Sequence, residues 1–295
     1  MSVKISFIYS LKLFLSSPPE FFQELFIDLK KDISAKSLQS KYKFVWCAGL
    51  PKSGTTLIET VLNTLPYVQL DKSPLRIFDN KYLNHPHGIS DRMFKNVPKK
   101  KYTFLKTHSH FNQEYLNLAN NYNAKIILSF RDLRDMMISN YFYTLKNNNA
   151  WGHNEIESLP FKEGFMKSLT LSHEKHKDDI AIKYYYKWIK DWINISEQSN
   201  CLVLWYESYL ENPIRYISEI LNYLEFDYID AKNIEKKLME ARELNLEENL
   251  SKPGRKLSTF NRGKTALYKE FFDSEIENYF QSLLPGSLDD ITYKG

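Results

Sequence analysis

A chain of 295 residues with 43% hydrophobic and 15% aromatic residues can bury a large core, and α/β domains of this length often fold as one unit. Lys+Arg 40 against Asp+Glu 36 leaves a formal charge of +4, too mild for a protein that coats nucleic acid but compatible with one local anion pocket. Cys47 and Cys201 cannot build a disulfide framework and fit no zinc-ligand spacing; both lie in strand-like apolar runs, which predicts buried free thiols and a reducing compartment.

Residues 3–15 (VKISFIYSLKLFL) are apolar, but Lys4 and Lys12 interrupt them and the run is shorter than the roughly 20 residues that span a bilayer. The expectation is a soluble, cytoplasmic protein without a transmembrane segment, with 1–40 a helical extension. Ser17-Pro18-Pro19-Glu20 is a helix start, with Phe22, Leu25, Phe26 and Leu29 on one face. KFVWCA (43–48) reads as a strand, GLPKSG as a turn, and Leu57, Ile58, Val61, Leu62 and Leu65 recur with helical spacing. YTFLKTH (102–108) is a strand, NQEYLNLANNY a helix, and AKIILSF (124–130) a strand covered on both faces. RDMMISNYFYTL is helical and CLVLWYE (201–207) is a further buried strand. ENPIRYISEILNYL is a helix with Ile214, Ile217, Leu221 and Leu224 inward.

Strands alternating with helices predict a parallel sheet between helical layers: an α/β/α fold of three layers, in one domain over 1–295. The segment 147–180 is polar, holds Gly and Pro, and lacks clear periodicity, which predicts a lid or binding loop.

Gly49-Leu50-Pro51-Lys52-Ser53-Gly54-Thr55-Thr56 joins a strand to a helix. Small residues let successive N–H groups converge on one anion, the helix N-terminus adds partial positive charge, and Lys52 adds a full cation. Ordinary nucleotide triphosphatases place lysine after the second glycine and before Ser or Thr, whereas Lys52 precedes Ser53-Gly54. A second candidate is Arg131, at the end of a strand, with Ser139 eight residues on; the guanidinium fork suits a phosphate. Lys106-Thr107-His108 ends another strand. His110 follows two residues later, and Glu59 lies on the helix after the loop. Glu59 reads as an acid placed near a helix N-terminus for dipole reasons alone.

Pro51-Lys52-Ser53-Gly54-Thr55-Thr56, Lys106-Thr107-His108 and Arg131–x7–Ser139 together resemble, in order, the signature segments of the sulfotransferases that use 3′-phosphoadenosine 5′-phosphosulfate (PAPS). The resemblance covers roughly 43–272 and implies a P-loop-type α/β fold. Lys52, Ser53, Gly54, Thr55 and Thr56 would bind the 5′-phosphosulfate, and Arg131 and Ser139 the 3′-phosphate. By the same resemblance His108 is the base and Lys106 holds the transferring group. Trp205-Tyr206-Glu207 with Glu211-Asn212-Pro213 resembles the family segment whose tyrosine lies near adenine.

Phe260–Lys269 resembles the family's basic closing segment, with Arg262 and Gly263 matching it. Asn261 stands in place of an arginine, Ala266 of a glycine and Tyr268 of a tryptophan; Lys252, Arg255 and Lys256 can supply charge. Leu57 replaces an adenine-stacking tryptophan.

The resemblance implies sulfuryl transfer from PAPS, with no metal, to a small-molecule, glycan or lipid acceptor. A P-loop nucleotide kinase or hydrolase, or an inactive nucleotide-binding protein of the same fold, are the alternatives. Asp71–His87 and 147–180, with Tyr143, Trp151, Phe161 and Phe165, are expected to shape the acceptor pocket.

Overall fold

The computed structural model describes residues 44–65, 68–70, 89–95, 102–173, 176–196, 201–240 and 266–294. They gather into two compact units, Met1–Gly49 with Thr55–Ile127, and Leu50–Gly54 with Leu128–Gly295.

The first unit runs β1 (Phe44–Gly49), α1 (Thr55–Thr64), β2 (Val68–Leu70), α2 (Asp91–Lys95), β3 (Tyr102–Thr107), α3 (Gln113–Asn121) and the first half of β4 (Lys125–Phe130). β1 and β2 both pair parallel with β3, with Trp46 opposite Leu105, Cys47 opposite Lys106 and Val68 opposite Tyr102. Every residue of β1 and β3 is buried, as expected of parallel strands covered on both faces. α1 turns Leu57, Ile58, Val61 and Leu62 inward. Asn112 caps α3, its side chain accepting from the Glu114 N–H at 2.7 Å.

The second unit continues from the end of β4 through α4 (Leu133–Lys146), α5 (His153–Ile156), α6 (Phe161–Thr170), the antiparallel pair β5 (Ser172–His173) and β6 (His176–Ile180), α7 (Ala181–Ser196), β7 (Cys201–Trp205), α8 (Tyr206–Glu211) and α9 (Pro213–Tyr223). A helix over 231–240, a 3-10 turn at Leu267–Glu270 and a helix at Ser274–Leu283 follow. Within the first unit the strand order is β2-β3-β1. Parallel strands alternating with helices are the α/β, P-loop-type arrangement expected from the sequence.

Four local expectations are corrected. The segment 147–180 contains α6, because Phe161, Phe165 and Leu169 recur every fourth residue and give one apolar face. Phe165 is fully buried against Tyr141 and Phe272, so it belongs to the core rather than to a pocket lining. The strand at 201–207 stops at Trp205, with only Leu204 buried, and Tyr206 and Glu207 begin α8. Cys201 is accordingly half-buried, whereas Cys47 is buried. In α9 the buried face is Tyr216, Ile217, Ile220 and Leu221, while Ile214, in the first turn, is exposed.

The expected helix from Ser17 and the segment Asp71–His87 lie outside the described residues. Among the described residues no helix is long and apolar enough to cross a membrane. Because Phe165 anchors α6, Phe165→Ala should destabilise the fold by about 3–5 kcal/mol, where a surface lid would lose almost nothing. Chemical denaturation measures the difference.

Candidate nucleotide and transfer site

The phosphate loop leaves β1 at Gly49 and enters α1 at Thr55. Lys52 has φ 67 and Gly54 φ 98, two left-handed residues within three positions. A lysine in that region carries strain, and the surrounding contacts must hold it. The Ser53 N–H and hydroxyl both donate to the Leu50 carbonyl, at 3.3 and 2.7 Å. The Ser129 hydroxyl, from the end of β4, donates to the Ser53 carbonyl at 2.7 Å. Gly54 is required by space as well as by φ: a Cβ there would lie 2.9 Å from the Tyr206 ring. Thr55 is buried and Thr56 exposed in the first turn of α1.

Arg131 is buried just beyond β4 and donates to the Lys52 carbonyl at 3.3 Å. Its guanidinium lies 4.8 Å from the Tyr206 ring centre and 3.7 Å from the Asp135 carboxylate. Lys52 stands 4.7 Å over the Tyr143 ring. Burial, then the positive charges of Arg131 and Lys146, bring the Lys52 ammonium down to about 8. Lys52 and Arg131 thus place two cations beside the loop, with Asp135 facing the second. Ser139 is buried about two turns along α4 from Arg131.

Residues that the sequence reading gave no role brace this corner. Asp135, wholly buried, accepts from the Tyr268 N–H at 2.9 Å and so ties the 3-10 turn to α4; burial raises its carboxyl above the usual range. Arg134 chelates Asp132 and lies 3.9 Å from the Tyr268 ring centre. Glu207 accepts from the Asp132 N–H at 3.0 Å, and burial pushes its carboxyl up to about 7. Ala266 adopts φ 53, the left-handed region, at the position where the resembled motif carries glycine. Arg262, Gly263, Asn261, Lys252, Arg255 and Lys256 lie outside the described residues.

The first unit carries the K-T-H segment. Alternation along β3 separates Thr107 from its neighbours, and its hydroxyl accepts the Trp46 indole N–H at 2.9 Å. Thr107 is thus structural, and Lys106 and His108 flank it. His108 Nδ1 lies 2.5 Å from the Gly49 carbonyl. A carbonyl only accepts, so Nδ1 is the donor in this bond. His110 is half-buried just beyond.

Glu59 differs from the expectation of a lone acid at a helix start. It sits past the first turn of α1 and forms an ion pair with Lys106, whose side chain is 5% exposed against 21% for Glu59. Cys47, opposite Lys106 in the ladder, is pushed up to about 12 by burial, an inert thiol.

In comparisons with solved structures, the chain is similar to mouse sulfotransferase SULT7A1 complexed with PAP (3′-phosphoadenosine 5′-phosphate), at 19% identity and a TM-score of 0.58 over 86% of this chain and 87% of that one. It is also similar to retinol dehydratase in complex with retinol and PAP, at 17% identity and a TM-score of 0.54, over 86% and 84% of the two chains. The complex of retinol dehydratase with androsterone and inactive cofactor PAP matches equally well. At these identities the likeness is one of fold. No curated protein matches. The model of the sulfotransferase domain matches residues 43–291, running past the limit at 272 expected from the motifs, and on that match the chain belongs to the sulfotransferase family.

Proposed function

We propose that this chain moves the sulfuryl group of PAPS to an acceptor hydroxyl or amine, acting as one sulfotransferase domain. The observation that carries this reading is the bond from Arg131 to the Lys52 carbonyl, which keeps two cations beside one strained loop. An anion with two separated phosphates answers that charge better than a monophosphate does.

In the proposed step the acceptor oxygen attacks sulfur and forms an O–S bond. The bond from sulfur to the bridging oxygen of the nucleotide breaks, and PAP departs. His108 Nε2 takes the acceptor's proton. The N–H groups of Gly54, Thr55 and Thr56 with Lys52 stabilise charge growing on the leaving oxygen, Ser53 closes the loop onto the Leu50 carbonyl, and Lys106 holds the sulfuryl oxygens. Arg131 and Ser139, with Arg262 and Gly263 from the closing segment, bind the 3′-phosphate; Tyr206 supports the nucleotide side of the loop. The scheme uses no metal, since side-chain cations supply the charge.

The acceptor is a small molecule, glycan or lipid. Retinol and androsterone, seen with retinol dehydratase, make compact apolar alcohols the first class to assay. Two cysteines, Cys47 and Cys201, are too few for a disulfide framework, which supports a reducing, cytoplasmic setting.

PAP should bind at least tenfold more tightly than AMP, and Ser139→Ala should erase most of that difference, because one charge-assisted contact contributes about 1.5–3 kcal/mol. Calorimetric titration of both nucleotides on both proteins tests this; equal affinities for PAP and AMP count against the 3′-phosphate site.

The lowered Lys52 ammonium gives a second expectation. Below pH 8 it is already charged, so binding needs no proton; above about 8 the free side chain is neutral and an anion must draw a proton in. PAP affinity should therefore fall as pH rises from 8 toward 9.5, by up to about tenfold per unit. Lys52→Arg should be flat over the same range.

For the base, His108→Ala should keep PAP affinity while kcat drops by about 10²-fold or more. Retained turnover would pass the role to His110 or Glu59.

A further inference from the structure

Lys106 is the penultimate residue of β3, with a side chain only 5% exposed. Leaving an ammonium there without counter-charge is costly. Among the described residues the partner it meets is the Oε2 of Glu59, on α1. The two residues lie 47 positions apart, in elements that leave the phosphate loop and the K-T-H segment. The carboxylate is the more exposed member of the pair.

An ammonium has three N–H donors, and this bond uses one. A lysine side chain has four rotatable bonds, so a fixed carboxylate determines where the other two donors point. A base, by contrast, needs a lone pair directed at the acceptor, and a carboxylate engaged by an ammonium is a weakened one.

We propose that Glu59 is a positioning residue: its carboxylate holds the Lys106 ammonium in one orientation, so that the remaining N–H groups meet the sulfuryl oxygens of the donor. The inference rests on the reading of Lys106 as the sulfuryl-holding cation. Glu59 therefore acts through Lys106 and has no separate part in proton transfer.

The test is a double-mutant cycle on kcat, KM for PAPS, Kd for PAP and Tm, with wild type, Glu59→Gln, Lys106→Met and the double variant. Glu59→Gln should lower kcat about tenfold or more. Its Kd for PAP should stay within about threefold, because PAP lacks the sulfuryl group. In the Lys106→Met background, Glu59→Gln should change kcat less than about twofold, as two residues acting as a unit do. Glu59→Asp keeps the charge but draws it back, so it should fold normally and still lose kcat; it serves if Glu59→Gln is unstable.

Losses that multiply in the double variant would make Glu59 an independent catalytic group and overturn the proposal. A lowered Tm with unchanged kcat, in Glu59→Gln and Glu59→Asp alike, would reduce the pair to a structural role and overturn it too. A wild-type protein that binds PAP yet turns over no PAPS with any acceptor alcohol would instead remove the transfer reading, and this role with it.

Discussion

Keeping Lys52 and Arg131 together is the constraint on which the second unit depends. Two like charges withdrawn from water repel more strongly than they would on a surface, and the depressed Lys52 ammonium records that cost. Each neighbour offsets part of it. The Tyr143 ring offers its negative face to Lys52, and the Tyr206 ring does the same for Arg131. The Lys52 carbonyl accepts from Arg131, and Asp135 stands at 3.7 Å. The same two tyrosines and the Ser129 hydroxyl give the strained loop its support, so electrostatics and backbone conformation are secured by one set of contacts. Functional sites commonly retain such local cost, offset by the surrounding fold.

The strand-loop-helix core was legible because periodicity changes across the loop, from a continuous apolar strand to helical spacing at Leu57, Ile58, Val61 and Leu62. Where periodicity was short, it misled. α6 rests on three apolar positions within a polar stretch, and only tertiary packing against Tyr141 and Phe272 makes that face sufficient. Aromatic residues favour strands, so Trp205-Tyr206 extended the predicted strand past its end. Ile214 fits the helical period, but it lies next to Pro213 at the helix start, and the buried face is centred on Tyr216 and Ile220.

The site divides in the same way. Contiguous motifs single out Lys52, Lys106, His108, Arg131 and Ser139 in the sequence, and these carry the proposed roles. The residues that hold them could not be singled out, because their partners are distant along the chain: Ser129 with Ser53 at a separation of 76, Glu207 with Asp132 at 75. Polar type alone does not say which of 36 acids meets which of 40 bases. Glu59 shows the consequence. Its sequence neighbours suggest a solvated acid, while the fold makes it the counter-ion of a buried lysine.

The bond from His108 to the Gly49 carbonyl reaches further than the ring it orients. It joins the ends of β1 and β3, whose register is set along the ladder from Phe44 opposite Thr103 to Ala48 opposite Thr107. The imidazole and the root of the phosphate loop are therefore indexed to each other by strand pairing. Sequence change that preserves this pairing preserves the alignment of the two segments.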